Sequence, residues 1–266
     1  MNTVTSQAPL RRSAEPDPSV SGIPFSRLVR AELRKLVDTR AGFWLLVAIA
    51  VAASAVIALM LFFADAAELS FLNFMAATGT PLGVLLPVLG ILAVTTEWSQ
   101  RTGLVTFTLE PRRSRIVAAK LLAGLILSAM FFVLATVVAA AASLLAEAAF
   151  DGPGSWDSAG LIVANIGLLV AISVLQGIGF GMLIMNTPAA IVLLFVLPTI
   201  WNVLGFTVSW LEEPAEWLDL NRTSIPLTTG SSLSGEQWAQ LAVSCGVWVA
   251  LPLALGIVRL LRREVK

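Results

Sequence analysis

The chain has no histidine, no tyrosine and a single cysteine, Cys245, among its 266 residues. Without imidazole there is no histidine metal ligand and no histidine base to activate a serine or cysteine nucleophile. One thiol cannot close an internal disulfide, and its apolar neighbourhood makes Cys245 a small packing residue rather than a redox centre. Charge is also scarce, at 13% of residues against about 25% in soluble domains. The formal net charge is zero, which leaves no general electrostatic case for a nucleic-acid partner. There is no G-x-x-x-x-G-K-[ST] phosphate loop, no H-E-x-x-H and no G-x-S-x-G. "GIGFG" (Gly177–Gly181) lacks the G-x-G-x-x-G spacing of a nucleotide loop; its G-x-x-x-G spacing suits close helix packing. An intramembrane hydrolase or transferase therefore has little to be built from, and the chain is read as a non-enzyme with no cofactor of its own.

What is abundant is apolar: 57% of residues are hydrophobic and the mean hydropathy is +0.87. A helix crossing the hydrocarbon core needs about 20 such residues. Stretches without Asp, Glu, Lys or Arg run over Ala41–Ala64, Leu69–Thr96, Leu121–Ala146, Ser158–Leu211 and Gln237–Val258. The fourth, at 54 residues, would make a helix about 80 Å long, more than twice what a bilayer needs. It must turn back once, and "MNTPAA" (Met185–Ala190) supplies the breakers, with Pro suited to the first turn of the next helix. The expected fold is an all-α integral membrane protein with six transmembrane helices, at about 41–64, 71–96, 118–146, 159–185, 188–211 and 238–260. Thr78–Pro81 is expected to shorten or break the start of the second span, and Pro198 to kink the fifth. Residues 1–23 read as a disordered cytoplasmic tail, and 24–266 as one domain.

Six spans put both termini on one side. Sixteen of the seventeen Lys and Arg fall on that side, in the N-terminal segment, in the loop between spans two and three, and after span six; only Arg222 lies opposite. This bias places both termini in the cytoplasm of a cell (plasma) membrane protein.

Two segments stand out. Residues 24–40, "PFSRLVRAELRKLVDTR", set Phe25, Leu28, Val29, Leu33, Leu36 and Val37 at helical spacing, with Arg27, Arg30, Arg34 and Lys35 on the other flanks. This predicts an amphipathic elbow helix in the cytoplasmic interface, touching anionic membrane lipid, with or without contact to a cytoplasmic protein. Residues 97–120, "EWSQRTGLVTFTLEPRRSRIVAAK", mix both signs of charge with Leu104, Val105, Phe107 and Leu109. They form either a solvated positive-inside loop or a docking surface for another protein.

The "RAELRKL" elbow, the "EWSQRTG" that follows span two, and the "PRRSRIVAAK" that leads into span three together resemble the membrane subunits of type-2 ABC exporters, a permease family that includes bacterial efflux permeases. The resemblance covers the chain from residue 24. It implies that Glu97–Arg115 holds a coupling helix docking onto a separate ABC ATPase subunit, which would bind the ATP and Mg. Glu97, Arg101, Gly103, Pro111, Arg112 and Lys120 match the family pattern best, with Arg113 and Arg115 beside them. It further implies a second copy or a sister permease, because full transporters of this class use about twelve spans.

No ionisable residue lies near the centre of any span, which speaks against proton- or ion-coupled transport. Asn165, Gln176 and Asn202 are uncharged candidates for a substrate path; hydrogen bonding between helices is the alternative for each. The last outer loop, 212–237, is acidic and long enough for a short capping helix. The expected function is thus a permease subunit of an ATP-driven exporter. The competing reading is a non-transporting membrane anchor or sensor that recruits a cytoplasmic partner.

Overall fold

The computed structural model describes residues 23–99, 110 and 112–262. Arg101, Gly103 and Pro111, three of the expected coupling residues, lie outside the described residues, as does nearly all of the expected N-terminal tail. The described residues form helices and no strand. In chain order these are α1 (Phe25–Asp38), α2 (Arg40–Phe63), α3 (Phe71–Ser99), α4 (Arg113–Ala149), α5 (Ala159–Ile184) and α6 (Thr187–Thr207). Two short helices, α7 (Glu212–Leu218) and α8 (Leu220–Ser224), lie in the loop that follows α6. Helix α9 (Gly235–Cys245) then continues through a π-helical turn at Gly246–Ala250 into α10 (Leu251–Arg262). Six helices are long and apolar enough to cross a membrane: α2, α3, α4, α5, α6 and the continuous α9–α10. The chain is a multi-pass membrane protein.

Local chemistry explains the breaks between helices. Thr39 ends α1 and begins α2, its hydroxyl accepting from Gly42 N at 3.2 Å. The corner is so tight that a Cβ on Gly42 would lie 1.8 Å from Leu36 O. The 54-residue apolar run turns where Asn and Pro predict. Met185 takes a left-handed conformation (φ 54°) after α5, and Asn186 caps α6 by accepting from Ala189 N at 3.0 Å, with Pro188 in the first turn. At α9, Ser234 and Gln237 form a capping box.

One expectation needs correction. Helix α3 is continuous through Pro81 and Pro87, with no break at Thr78–Pro81; neighbouring helices on several sides hold a transmembrane helix together where proline removes a backbone bond. The helix that holds the expected span 118–146, α4, begins at Arg113 and runs 37 residues, about 55 Å. That exceeds a hydrocarbon core of about 30 Å, so its ends project beyond the apolar slab.

Helices α3 and α5 form the centre. In their most apolar windows 56% and 44% of residues are buried, against 22% in both α2 and α6, so the latter two lie at the periphery and expose side chains such as Phe62, Phe63, Val192 and Phe206. Lipid tails are as apolar as leucine, so contact between spans is won by close approach of small residues. Gly177 is the clearest case: a Cβ there would lie 2.0 Å from Pro87 O of α3. Gly181, one turn on, sits against Ile91, which gives the G-x-x-x-G spacing its packing role. Around this seam Phe74, Leu82, Leu86 and Leu89 of α3 meet Ile162, Ile166, Val174 and Ile178 of α5.

Candidate functional site

Four charged side chains converge at one end of the bundle. Helix α1 supplies Glu32 and Lys35, one turn apart; the last turns of α3 supply Glu97; the second turn of α4 supplies Lys120. Lys35 Nζ lies 2.7 Å from Glu32 Oε1 and 2.6 Å from Glu97 Oε1, while Lys120 Nζ lies 2.7 Å from Glu32 Oε2 and 3.0 Å from Glu97 Oε2. Each carboxylate therefore bridges both ammonium groups in a closed ring of zero net charge. Lys120 also donates to Ala93 O at 3.1 Å, so its three N–H donors have three acceptors.

The ring is enclosed: Glu32 and Glu97 are each 6% exposed and Lys120 is 2% exposed, while the Lys35 side chain reaches the surface at 43%. Charges removed from water are tolerated only with partners and hydrogen bonds, and deleting one member of such a set costs about 3–5 kcal/mol. Both lysines also lie at the C-terminal end of α3, where the helix dipole favours positive charge. Burial works against the Lys35 ammonium, but the Glu32 and Glu97 carboxylates outweigh it and hold the group above the ordinary lysine value. The ring fastens α1 to the end of α3 and the start of α4, the two helix ends that flank residues 100–112.

The surrounding arginines tighten the same end. Arg115 pairs with Glu110 at 2.5 Å and donates to Ile23 O at 2.7 Å, just before α1. Arg113 donates to Leu260 O and Leu261 O at 3.2 Å, satisfying end carbonyls of α10. Arg259 of α10 donates to Leu183 O at the end of α5. Thus α1, the ends of α3, α5 and α10, and the start of α4 share one end of the bundle.

Among the expected coupling residues, Glu97 and Lys120 are turned inward, Arg113 and Arg115 are engaged within the chain, and Arg112 is exposed. Of the expected elbow residues, Arg27, Arg30 and Arg34 are exposed along one side of α1, opposite the buried stripe of Val29, Glu32 and Leu36. Lys35 instead enters the ring. Glu32, which occupies the centre of it, was not among the expected site residues. Its signal was present: a lone carboxylate within the apolar stripe between Leu28 and Leu36, three residues before a lysine.

The three uncharged candidates separate. Asn165 donates to Ser231 O at 3.2 Å and ties α5 to the loop between α8 and α9. Asn202 donates to Asp219 Oδ2 at 2.6 Å; Asp219 is 1% exposed and caps α8 by accepting from Asn221 N at 2.9 Å. Arg222, the lone basic residue of that end among the described residues, lies over the Phe206 ring at 3.9 Å and donates to Gly205 O at 3.1 Å. Both asparagines hold structure. Gln176 differs: it lines a cavity of about 320 Å³ between α3, α5 and α6, closed on one side by α8 and Thr228. Compared with models of known protein families and with curated proteins, the chain matches none.

Proposed function

We propose that the chain is the membrane-spanning permease subunit of an ATP-driven exporter, with ATP hydrolysis supplied by a separate ATPase chain. The observation that carries this reading is the buried ring of Glu32, Lys35, Glu97 and Lys120. It makes a rigid joint at the end of the bundle where the basic segments gather, so a push on residues 97–115 is passed to α1, α3 and α4 together. Positive-inside bias supports a cytoplasmic position for that end and for both termini, in the plasma membrane. The exposed Arg27, Arg30 and Arg34 suit α1 as an interfacial elbow over anionic lipid, and exposed Arg112 is the coupling arginine free to meet the ATPase. A second permease copy or a sister permease completes the path.

The test is to purify the chain from the membranes of cells that make it and identify what accompanies it. A separate ATPase with a phosphate loop is expected. Arg112→Glu with Arg113→Glu should lose it while membrane insertion stays intact. Undiminished recovery of an active ATPase with that variant would remove the coupling assignment. Recovery of a cytoplasmic protein with no nucleotide site would favour the anchor or sensor reading.

A further inference from the structure

Resting on the transport reading, we propose that the cavity between α3, α5 and α6 binds a small uncharged molecule with a hydrogen-bonding head and an apolar body. The cavity, about 320 Å³, has room for about ten waters at ~30 Å³ each, at the small end of ligand pockets. It contains no Asp, Glu, Lys or Arg in its lining. A charged ligand would leave water for a wall that offers it no counter-charge, which membrane interiors strongly disfavour. Most of the wall is apolar, with Ala76, Val84, Leu169, Ile172, Leu194 and Phe195.

The second observation is Gln176. It is 9% exposed, lines the cavity, and its carboxamide has no hydrogen-bond partner among the described residues. Its amide atoms are not sealed within the packing, so they face space that water or a guest fills. Two N–H donors and a carbonyl oxygen are therefore available to a guest. Thr80, Thr199, Asn221, Ser224 and Thr228 also line the cavity, but among its polar residues only Ser173 and Gln176 are buried, and the Ser173 hydroxyl donates to Val170 O at 2.9 Å. The space itself comes from the small residues of α3: a Cβ added at Gly83 would meet nothing within 4 Å. A guest with a carbonyl or hydroxyl near Gln176 and an apolar body along Gly83 matches this wall; a bare acyl chain leaves the amide unsatisfied.

The test uses three photoreactive probes that share a benzophenone body: neutral 4-(hydroxymethyl)benzophenone, anionic 4-benzoylbenzoate and cationic 4-benzoylbenzylammonium. Each is titrated onto the full chain in phosphatidylcholine nanodiscs, irradiated, and mapped by mass spectrometry. The neutral probe should label segments 76–87 and 169–176 saturably, and the charged probes at least about tenfold less. Gln176→Leu should weaken half-saturation by about tenfold, the loss of one or two hydrogen bonds. Gln176→Asn should fall between, and Gly83→Leu should block the site. Two background sites on other helices report that each variant is folded. Unsaturable labelling spread over the lipid-facing sides of α2 and α6, equal labelling by charged probes, or indifference to both Gln176→Leu and Gly83→Leu would overturn the site. ATP-driven transport without saturable labelling here would defeat this site alone, whereas saturable labelling without ATP-driven transport would leave the site standing and defeat the transport reading.

Discussion

Replacing Lys120 with methionine removes an ammonium that is 2% exposed and bonded to Glu32, Glu97 and Ala93 O. The methionine fills similar volume, so the change is mainly electrostatic. Two carboxylates then share only Lys35, whose side chain is 43% exposed, and the enclosed set carries a net negative charge. Orphaning a buried charge costs about 3–5 kcal/mol. At roughly 2–4 °C per kcal/mol, the unfolding midpoint should fall on the order of 10 °C. Cys245, the single and partly buried thiol, is a built-in reporter, since a thiol-reactive fluorogenic dye will follow its exposure on heating in detergent. Combining Lys120→Met with Glu32→Leu removes one charge of each sign and leaves the Lys35–Glu97 pair at 2.6 Å. That double variant should recover more than half of the loss, because the orphaned charge is gone. A double variant as unstable as the two single changes added together would refute the reasoning, as would a Lys120→Met midpoint within about 2 °C of wild type.

Three further outcomes follow from the same contacts. Gly177→Leu drives a side chain into Pro87 O, where even a Cβ would lie at 2.0 Å, and should abolish recovery of folded protein; Gly83→Ala, whose Cβ meets nothing within 4 Å, should keep wild-type yield and melting. The raised Lys35 value means that its contribution is fully present below the ordinary lysine value of about 10.4 and is lost only as pH rises through the folded value. Melting curves of Lys35→Met and wild type should therefore differ by a constant amount between pH 7 and 9 and converge only in strong alkali. Replacing Arg27, Arg30 and Arg34 with glutamine should reduce retained anionic lipid in native mass spectra, at about 1 kcal/mol per residue, while leaving the unfolding midpoint unchanged.

The spans were legible because their signal is local. Apolar runs of the right length set α2 through α6, and Asn186 with Pro188 marked the turn inside the 54-residue run. The reading failed where proline invites a break that tertiary packing prevents, as at Pro81. The site was legible only in part. Glu97, Lys120 and Lys35 could be picked out as charges beside the bilayer, but their inward orientation depends on partners far away in sequence. Lys120 meets Glu32 across 88 positions and Ala93 across 27, and no spacing rule reaches that far. Glu32 alone, a carboxylate on an apolar stripe, announced that something positive had to lie beneath α1. Asn202 was legible only as a polar residue in an apolar run; its partner Asp219 belongs to the loop between α6 and α9, whose fold no periodicity revealed.

The most direct measurement is transport in proteoliposomes that hold the chain with its co-purified ATPase. If the proposed reading holds, ATP drives movement of a neutral amphipathic compound out of the cytoplasmic-side compartment, and the Lys120→Met with Glu32→Leu variant hydrolyses ATP with movement reduced at least about tenfold, since the proposed joint to α3 and α4 is weakened. Hydrolysis without movement in the wild type, or full movement in the absence of any ATPase chain, would contradict the account.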